Sequence, residues 1–253
     1  MIQVEGLSKR FGELQVLTDI NANFAKGQVN QVIGKSGSGK SVLAKCIVGL
    51  HRPEEGRVLY EGRSFHEMDE KEKRGIRQEI GMLFQGSALF DSMTVLENVM
   101  FPLSMFGEMP RSEMADRAHD CLKRVNIIDK DGLFPAQISG GMQKRVGIAR
   151  AIAMNPKYLF CDEPNSGLDP QTSILIDDLI KEITEEYDMT TIVITHDMNS
   201  VMETGENIIF IHQGRKWWEG DRQALLNSDN PELNEFVFAG SLMRQVKQAM
   251  ERG

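Results

Sequence analysis

The sequence predicts an α/β fold: a mainly parallel sheet covered by helices on both faces, with a β-rich N-terminal part and an inserted helical lobe. Three observations carry this expectation. Short apolar runs alternate with stretches of helical spacing, the pattern of strands joined by crossover helices. The stretch GKSGSGKS, Gly34 to Ser41, stands between an apolar run and a helical one. From about Asp91 to Ile138 the texture changes, and helical spacing dominates.

Each element has its own signal. Residues 1–33 read as β-rich, because MIQVEGLSKRF and QVLTDINANFAKGQVNQVI show short alternating runs broken at Gly12 and Gly27. Residues 39–50 read as a helix, with Val42, Leu43, Cys46, Ile47 and Leu50 at helical spacing. RVLYEGRSF (57–65) reads as a strand and turn, and MDEKEKRGIRQ as a solvated charged stretch leading to the strand IGMLF (80–84). In the lobe, TVLENVMFPLSMF and SEMADRAHDCLKRVNI have helical spacing, with breaks expected at Pro102, Pro110 and Gly132. A helix over roughly 141–154 is ended by Asn155-Pro156. The strand YLFCD (158–162), a helix near 171–187, and the strands TTIVIT (190–195) and NIIFIHQG (207–214) follow. The tail from Arg222 reads as helical, with a break around Asp229-Asn230-Pro231.

The bulk numbers bound the function. A chain of 253 residues suits one large domain or two small ones. With 41% hydrophobic and 26% charged residues it has the composition of a soluble globular protein. The net charge of −8 counts against nucleic acid as a direct partner, since binding phosphates without regard to sequence takes a basic excess. Cys46, Cys121 and Cys161 are too widely spaced for a metal or disulfide framework, and are expected to be reduced and packed. The N-terminus lacks the pattern of a signal peptide, and no window reaches the ~18 apolar residues of a spanning helix.

Four stretches carry chemistry. GKSGSGKS fits G-x-x-x-x-G-K-[ST] in full, in the strand-to-helix context that a phosphate loop requires. Gly34, Lys35, Ser36, Gly37, Ser38, Gly39, Lys40, Ser41 and the following Val42 are the candidate nucleotide-binding residues. Gly37 and Gly39 let backbone N–H groups curl around phosphates, Lys40 neutralises β- and γ-phosphate oxygens, and Ser41 coordinates Mg²⁺. YLFCDEP places two acids at a strand end: Asp162 reaches Mg²⁺ through water, and Glu163 is placed to act as general base on water. ITHD ends another strand with His196, assigned a hydrogen bond to the γ-phosphate from the carboxyl edge of the sheet. In ISGGMQKRVGIARA, Ser139 reads as a helix N-cap, with Gly140 and Gly141 opening the helix start to an anion. A second such helix start is redundant within one chain, but makes sense if it meets a nucleotide held by another copy.

At this point the chain resembles the ATP-binding cassette (ABC) ATPase subunits of membrane transporters over residues 1–225. The phosphate loop, SGGMQ, LFCDEP, SGLDP (166–170) and THD stand in that family's order. The resemblance implies a P-loop NTPase (RecA-like) core, an N-terminal antiparallel β subdomain, a helical subdomain at about 88–150 and a C-terminal helical tail over 226–253. It also implies ATP and Mg²⁺ as ligands. Phe11 matches the aromatic that stacks on adenine. Gln85 matches the glutamine that senses Mg²⁺ and the attacking water, joining Ser41 and Asp162 around the metal. Asp169 matches the aspartate that contacts the opposite subunit. The expected assembly is a head-to-tail homodimer with two ATP molecules at its interface. Each site takes Lys40 and Glu163 from one copy and the signature residues Ser139, Gly140, Gly141 and Met142 from the other.

The segment LFQGSALFDSMTVLENVMFPL adds a finer expectation. Gln85 is the hinge to the lobe. The apolar Ala88, Leu89 and Phe90, with Met93, Val95 and Leu96 beyond, would form part of a groove for a short helix of the membrane permease, about half of them serving as the lobe's own core. The wording of this segment, together with Met142 in place of the more frequent glutamine, is similar to the ATPase of Mla-type (MCE-associated) phospholipid transporters. That similarity implies integral-membrane permease subunits and an MCE lipid-binding protein as partners. It also implies a peripheral place on the cytoplasmic face of the inner membrane. Asn165, after the DEP proline, and Asn30 and Gln31, within a strand, depart from the family pattern. The alternative is the ATPase of an importer for amino acids or other small solutes. More distant is a soluble ABC ATPase acting on nucleic acid or ribosomes.

Overall fold

A computed structural model describes residues 1–106 and 109–240. In chain order the elements are strands β1 (Ile2–Phe11), β2 (Leu14–Phe24) and β3 (Gln28–Ile33), helix α1 (Lys40–Ile47), and strands β4 (Glu55–Tyr60) and β5 (Arg63–Ser64). Helix α2 (Glu70–Gln78), strand β6 (Ile80–Leu83) and helices α3 (Val95–Phe106), α4 (Arg111–Arg124) and α5 (Gly140–Ile152) follow. Strand β7 (Tyr158–Asp162), helix α6 (Pro170–Glu186), strand β8 (Thr190–Thr195), helix α7 (Met198–Thr204), strands β9 (Asn207–His212) and β10 (Arg215–Gly220), and helices α8 (Arg222–Leu226) and α9 (Pro231–Val237) complete the order. The expected helical tail lies outside the described residues beyond 240.

The chain divides into two compact units. The first comprises Met1–Ala25, Val29–His66 and the chain from Thr195 onward. In it β1 pairs antiparallel with both β2 and β4, and β4 with β5. The alternation in β1 is functional in packing: Ile2, Val4 and Leu7 are buried. Strand β3 runs parallel to β9, which pairs antiparallel with β10. Ile33, Ile208 and Phe210 of these strands form a core with Val201 of α7, Leu225 of α8, and Leu233 and Val237 of α9.

Asn30 and Gln31 are fully buried in β3, and their amides explain why a strand tolerates them. Asn30 accepts from the Ala25 N–H at 2.9 Å and donates to the Ala25 carbonyl at 3.0 Å, closing the turn before the strand. Gln31 donates to the Ser200 carbonyl and the Thr204 hydroxyl, fixing α7. Asn30 thus has its amide oxygen and nitrogen both paired, whereas Gln31 Oε1 is buried without a hydrogen-bond partner.

The second unit comprises Lys26–Gln28 and Glu67–Ile194. Here β6, β7 and β8 are parallel. All six positions of β8 are buried, which accounts for its continuous apolar and threonine run. Helix α5 lies close on β6: a Cβ on Gly81 would stand 2.3 Å from the Ala151 carbonyl oxygen.

Three expectations are corrected. The charged stretch after Met68 is helix α2, started by a capping box between Asp69 and Glu72; charge alone hides a helix whose caps are local. Pro102 does not break the lobe's first helix but sits inside α3. The buried stripe Val95, Val99 and Leu103 continues across the proline, so packing on both sides outweighs the lost backbone bond. The run NIIFIHQG ends as a strand at His212, and RKWWEG, unread in the sequence, forms β10, with an alternation of exposed and half-buried positions.

Candidate nucleotide site

In the first unit, β3 delivers the chain into the phosphate loop and α1 leads it away. Gly34 has φ 151 and Gly39 φ 106. A Cβ would stand 2.3 Å from the Ile211 carbonyl oxygen at Gly34 and 2.6 Å from Leu17 Cδ2 at Gly39, so both positions demand glycine on conformation and on space. Gly37, exposed at the tip, has nothing within 4 Å of its missing side chain and leaves the loop open there. Lys40 is buried and donates to the carbonyls of Gly34 (2.8 Å) and Lys35 (3.2 Å), folding its ammonium across the loop. Ser38 Oγ is buried and makes no hydrogen bond. Lys35, Ser36 and Ser41 are exposed, and Val42 is half-buried. Lys35 pairs with Glu235 of α9 at 2.7 Å, and the lysine holds that carboxyl below its ordinary range.

A glycine-shaped loop, an orphaned buried hydroxyl and a lysine lying over the loop carbonyls fit an anion of phosphate type. Phe11 is 45% exposed, set edge-on against His51 with ring centres 5.2 Å apart and with Lys9 Nζ 5.0 Å from its ring centre. Its free area suits stacking. His196 is exposed just past β8, before Asp197 caps α7 by accepting from the Asn199 N–H.

In the second unit, β7 ends at Asp162, and Glu163 follows with φ 51, a left-handed conformation that costs a residue with a Cβ energy. The Glu163 N–H donates to the Ile194 carbonyl at 2.9 Å, and both acids are half-buried. The carboxylate of Asp162 is an oxygen donor of the kind that Mg²⁺ takes. Behind the acids, Asn165 is buried and donates to the Asp177 carboxylate at 2.8 Å, tying the loop to α6. Asp169 caps α6: its carboxylate accepts from the Thr172 N–H at 3.0 Å and from the Thr172 hydroxyl, and these bonds, the hydroxyl first, lower its pKa.

Ser139 caps α5 as the sequence predicts, accepting from the Met142 N–H at 3.3 Å. Ser139 and Gly140 are exposed, and Gly141 and Met142 are half-buried. A Cβ on Gly141 would stand 2.6 Å from Thr172 Cγ2, so glycine here also admits α6. Gln85 is exposed. Beyond it Ser87 (φ 61) and Ala88 (φ 45) are both left-handed, which explains the absence of strand-like alternation in this segment. Arg150 of α5 holds this bend by donating to the carbonyls of Ser87 (2.6 Å) and Ala88 (2.7 Å).

A cavity of about 380 Å³ opens beside this bend, lined by Phe84, Ala88, Phe90, Phe101, Phe106 and Met154, with Arg77 and Arg150 at hand. Phe90 is 40% exposed and lies 4.6 Å from Phe101, ring centre to ring centre. Leu89 is half-buried and is not among the lining residues; Val95 is wholly core.

Sequence reading missed Lys144, Arg150, Asp177 and Glu235. For Lys144 a signal existed: its helical spacing to Gly147, Ile148 and Ala151 puts it on the apolar stripe of α5. The others pair with residues distant in the chain and leave no local pattern.

The parallel strands, the strand–loop–helix around Lys40 and the acids closing β7 define a P-loop nucleotide hydrolase. A family model described as "ABC transporter" matches residues 17–166. The chain is 38% identical over 236 residues to the "Probable ribonucleotide transport ATP-binding protein mkl" of Mycobacterium leprae, covering 93% of this chain and 68% of that one. It spans 66% of the length of the Mycobacterium bovis counterpart. It is also 38% identical over 242 residues to the "Methionine import ATP-binding protein MetN" of Symbiobacterium thermophilum, covering 94% and 73%. Among solved structures, the dimeric post-hydrolysis state of the ATP-binding cassette MJ0796 bound to ADP and Pi superposes with a TM-score of 0.79 at 35% identity, over 87% of this chain and 98% of that one. The chain belongs to the ABC transporter family, as an ATP-binding subunit that hydrolyses ATP with Mg²⁺. No helix among the described residues is long and apolar enough to cross a membrane.

Proposed function

We propose that this subunit powers phospholipid movement between bacterial membranes, as a homodimer peripheral to the cytoplasmic face of the inner membrane. The observation that carries the dimer is that one chain holds two anion-ready helix starts: the phosphate loop before α1, and the exposed Ser139–Gly140 start of α5. Residues 1–225 are the ATPase domain, with the helical subdomain at about 88–150 and the tail beyond 226. Lys40 and the loop from Gly34 to Val42 bind the phosphates, and Phe11 stacks on the base. Glu163 takes the proton of the attacking water, which Gln85 senses, and His196 hydrogen-bonds the γ-phosphate. Ser139, Gly140, Gly141 and Met142 meet the nucleotide of the other copy, and Asp169 contacts that copy. Ser41, Gln85 and Asp162 would hold Mg²⁺, which when bound neutralises phosphate charge. Loss of the γ-phosphate removes the charge that the α5 helix starts hold, and the dimer loosens.

The cavity beside Phe90 receives a permease helix. Its aromatic lining suits an apolar helix face. The phospholipid reading rests on the wording of residues 83–103 and on Met142, and it implies an MCE lipid-binding partner. A second reading, an importer of amino acids or other small solutes, is favoured by the likeness to a methionine import protein. Affinity capture of the tagged chain from gently solubilised native membranes, followed by mass spectrometry, separates them. A permease with an MCE protein and enriched phospholipid supports the first; a permease with a soluble solute-binding protein and no lipid supports the second.

A further inference from the structure

Lys144 lies in α5, buried to 5% exposure, in a position where a lysine is costly unless its ammonium is used. Its Nζ donates to the Gln85 carbonyl and, at 3.2 Å, to the Glu163 carbonyl. These are the main chains of the residues to which the proposed function gives the attacking water. Burial lowers the lysine's pKa, with Cys161, Glu163 and Asp162 acting in the opposite sense. Six residues further along, Arg150 fastens Ser87 and Ala88 to the same helix. One rigid helix thus carries the exposed Ser139–Gly140 start at one end, and along its length holds the backbone that presents Gln85 and Glu163.

We propose that Lys144 is a positioning residue for hydrolysis, its ammonium fixing the Gln85 and Glu163 main chains to α5 and to each other. The inference rests on the reading of Glu163 as base. Its consequence is a link between sites: a displacement of α5 by the nucleotide of the opposite copy reaches the water-handling residues of its own copy through one side chain. A water misplaced by about 1 Å costs roughly 100-fold in rate, so the effect belongs in kcat.

The test uses the full chain with Lys144→Met, which keeps length and removes the donor, and Lys144→Gln, which returns one amide donor. ATP binding, kcat, KM and the melting midpoint are measured well below each variant's midpoint. The expected result is a kcat for Lys144→Met lowered roughly 10- to 100-fold, with ATP affinity within about threefold of the parent and partial recovery of kcat in Lys144→Gln. A merely structural lysine would lower the midpoint and leave kcat per folded molecule unchanged; that outcome overturns the proposal, as does a loss confined to ATP affinity. If Lys144→Met fails to fold, Lys144→Gln alone decides by the same split. Glu163→Gln distinguishes the underlying reading. Normal turnover there removes the base assignment whatever Lys144 does. With the assignment intact, Lys144→Met costs less kcat in the Glu163→Gln background than in the parent, because part of the lysine's action runs through the glutamate; an equal loss in both backgrounds overturns the proposal.

Discussion

Glu163 sits where its backbone is least comfortable, at φ 51 directly after an apolar strand. Glutamine keeps its shape and its place there but cannot take a proton. Glu163→Gln is therefore expected to bind ATP normally, to lose turnover by roughly 10²- to 10⁴-fold, and to accumulate as an ATP-bound dimer on size exclusion. Turnover at the parent rate would remove Glu163 as base. The Ser139 hydroxyl has a smaller and separable role as the cap of α5. Ser139→Ala should lower thermal stability by about 1 kcal/mol, read by denaturant melts. The Asn165 amide reaches the buried Asp177. Asn165→Ala withdraws that donor and should cost roughly 1–3 kcal/mol, while Asn165→Asp, which places a second carboxylate against the first, should cost more.

Among the elements, legibility followed locality. The strand–loop–helix around Lys40, the β7 strand and the cap of α5 were readable because each is specified by neighbours within a few residues. Helix α3 was not, since Pro102 is a local break signal that the Val95–Val99–Leu103 stripe overrides through tertiary packing. Strand β10 lacked a signal because its alternation is between exposed and half-buried positions, with Trp217 42% exposed. The Lys144 and Arg150 bonds join residues 59 and 63 apart in the chain, a separation at which single-sequence patterns are silent. The groove belongs to this scale too. Phe90→Asp places a charge among Phe84, Phe101 and Phe106. It should leave ATP binding unchanged and weaken recovery of the permease complex by tenfold or so, as loss of a buried aromatic anchor does. Undiminished recovery would show that the partner sits elsewhere.

For the molecule as a whole, the three cysteines share one condition. Cys46, Cys121 and Cys161 are free and buried, and burial pushes the first two thiols up to about 11 and the third to about 12. The thiolate is the reactive form, so near pH 8 the folded chain should resist alkylation, and all three thiols should label once it is unfolded. Labelling of native protein, counted by intact mass, checks this; uptake at any of the three would show an opening of that core. The consequence reaches beyond stability. A chain whose own sulfurs are silent is already a blank background for single-cysteine reporters. One thiol placed at exposed Ser36 and another at exposed Ser139 in a mixed pair of copies, given a mild oxidant, would bridge in the proposed head-to-tail arrangement and hold that pair closed until a reductant releases it.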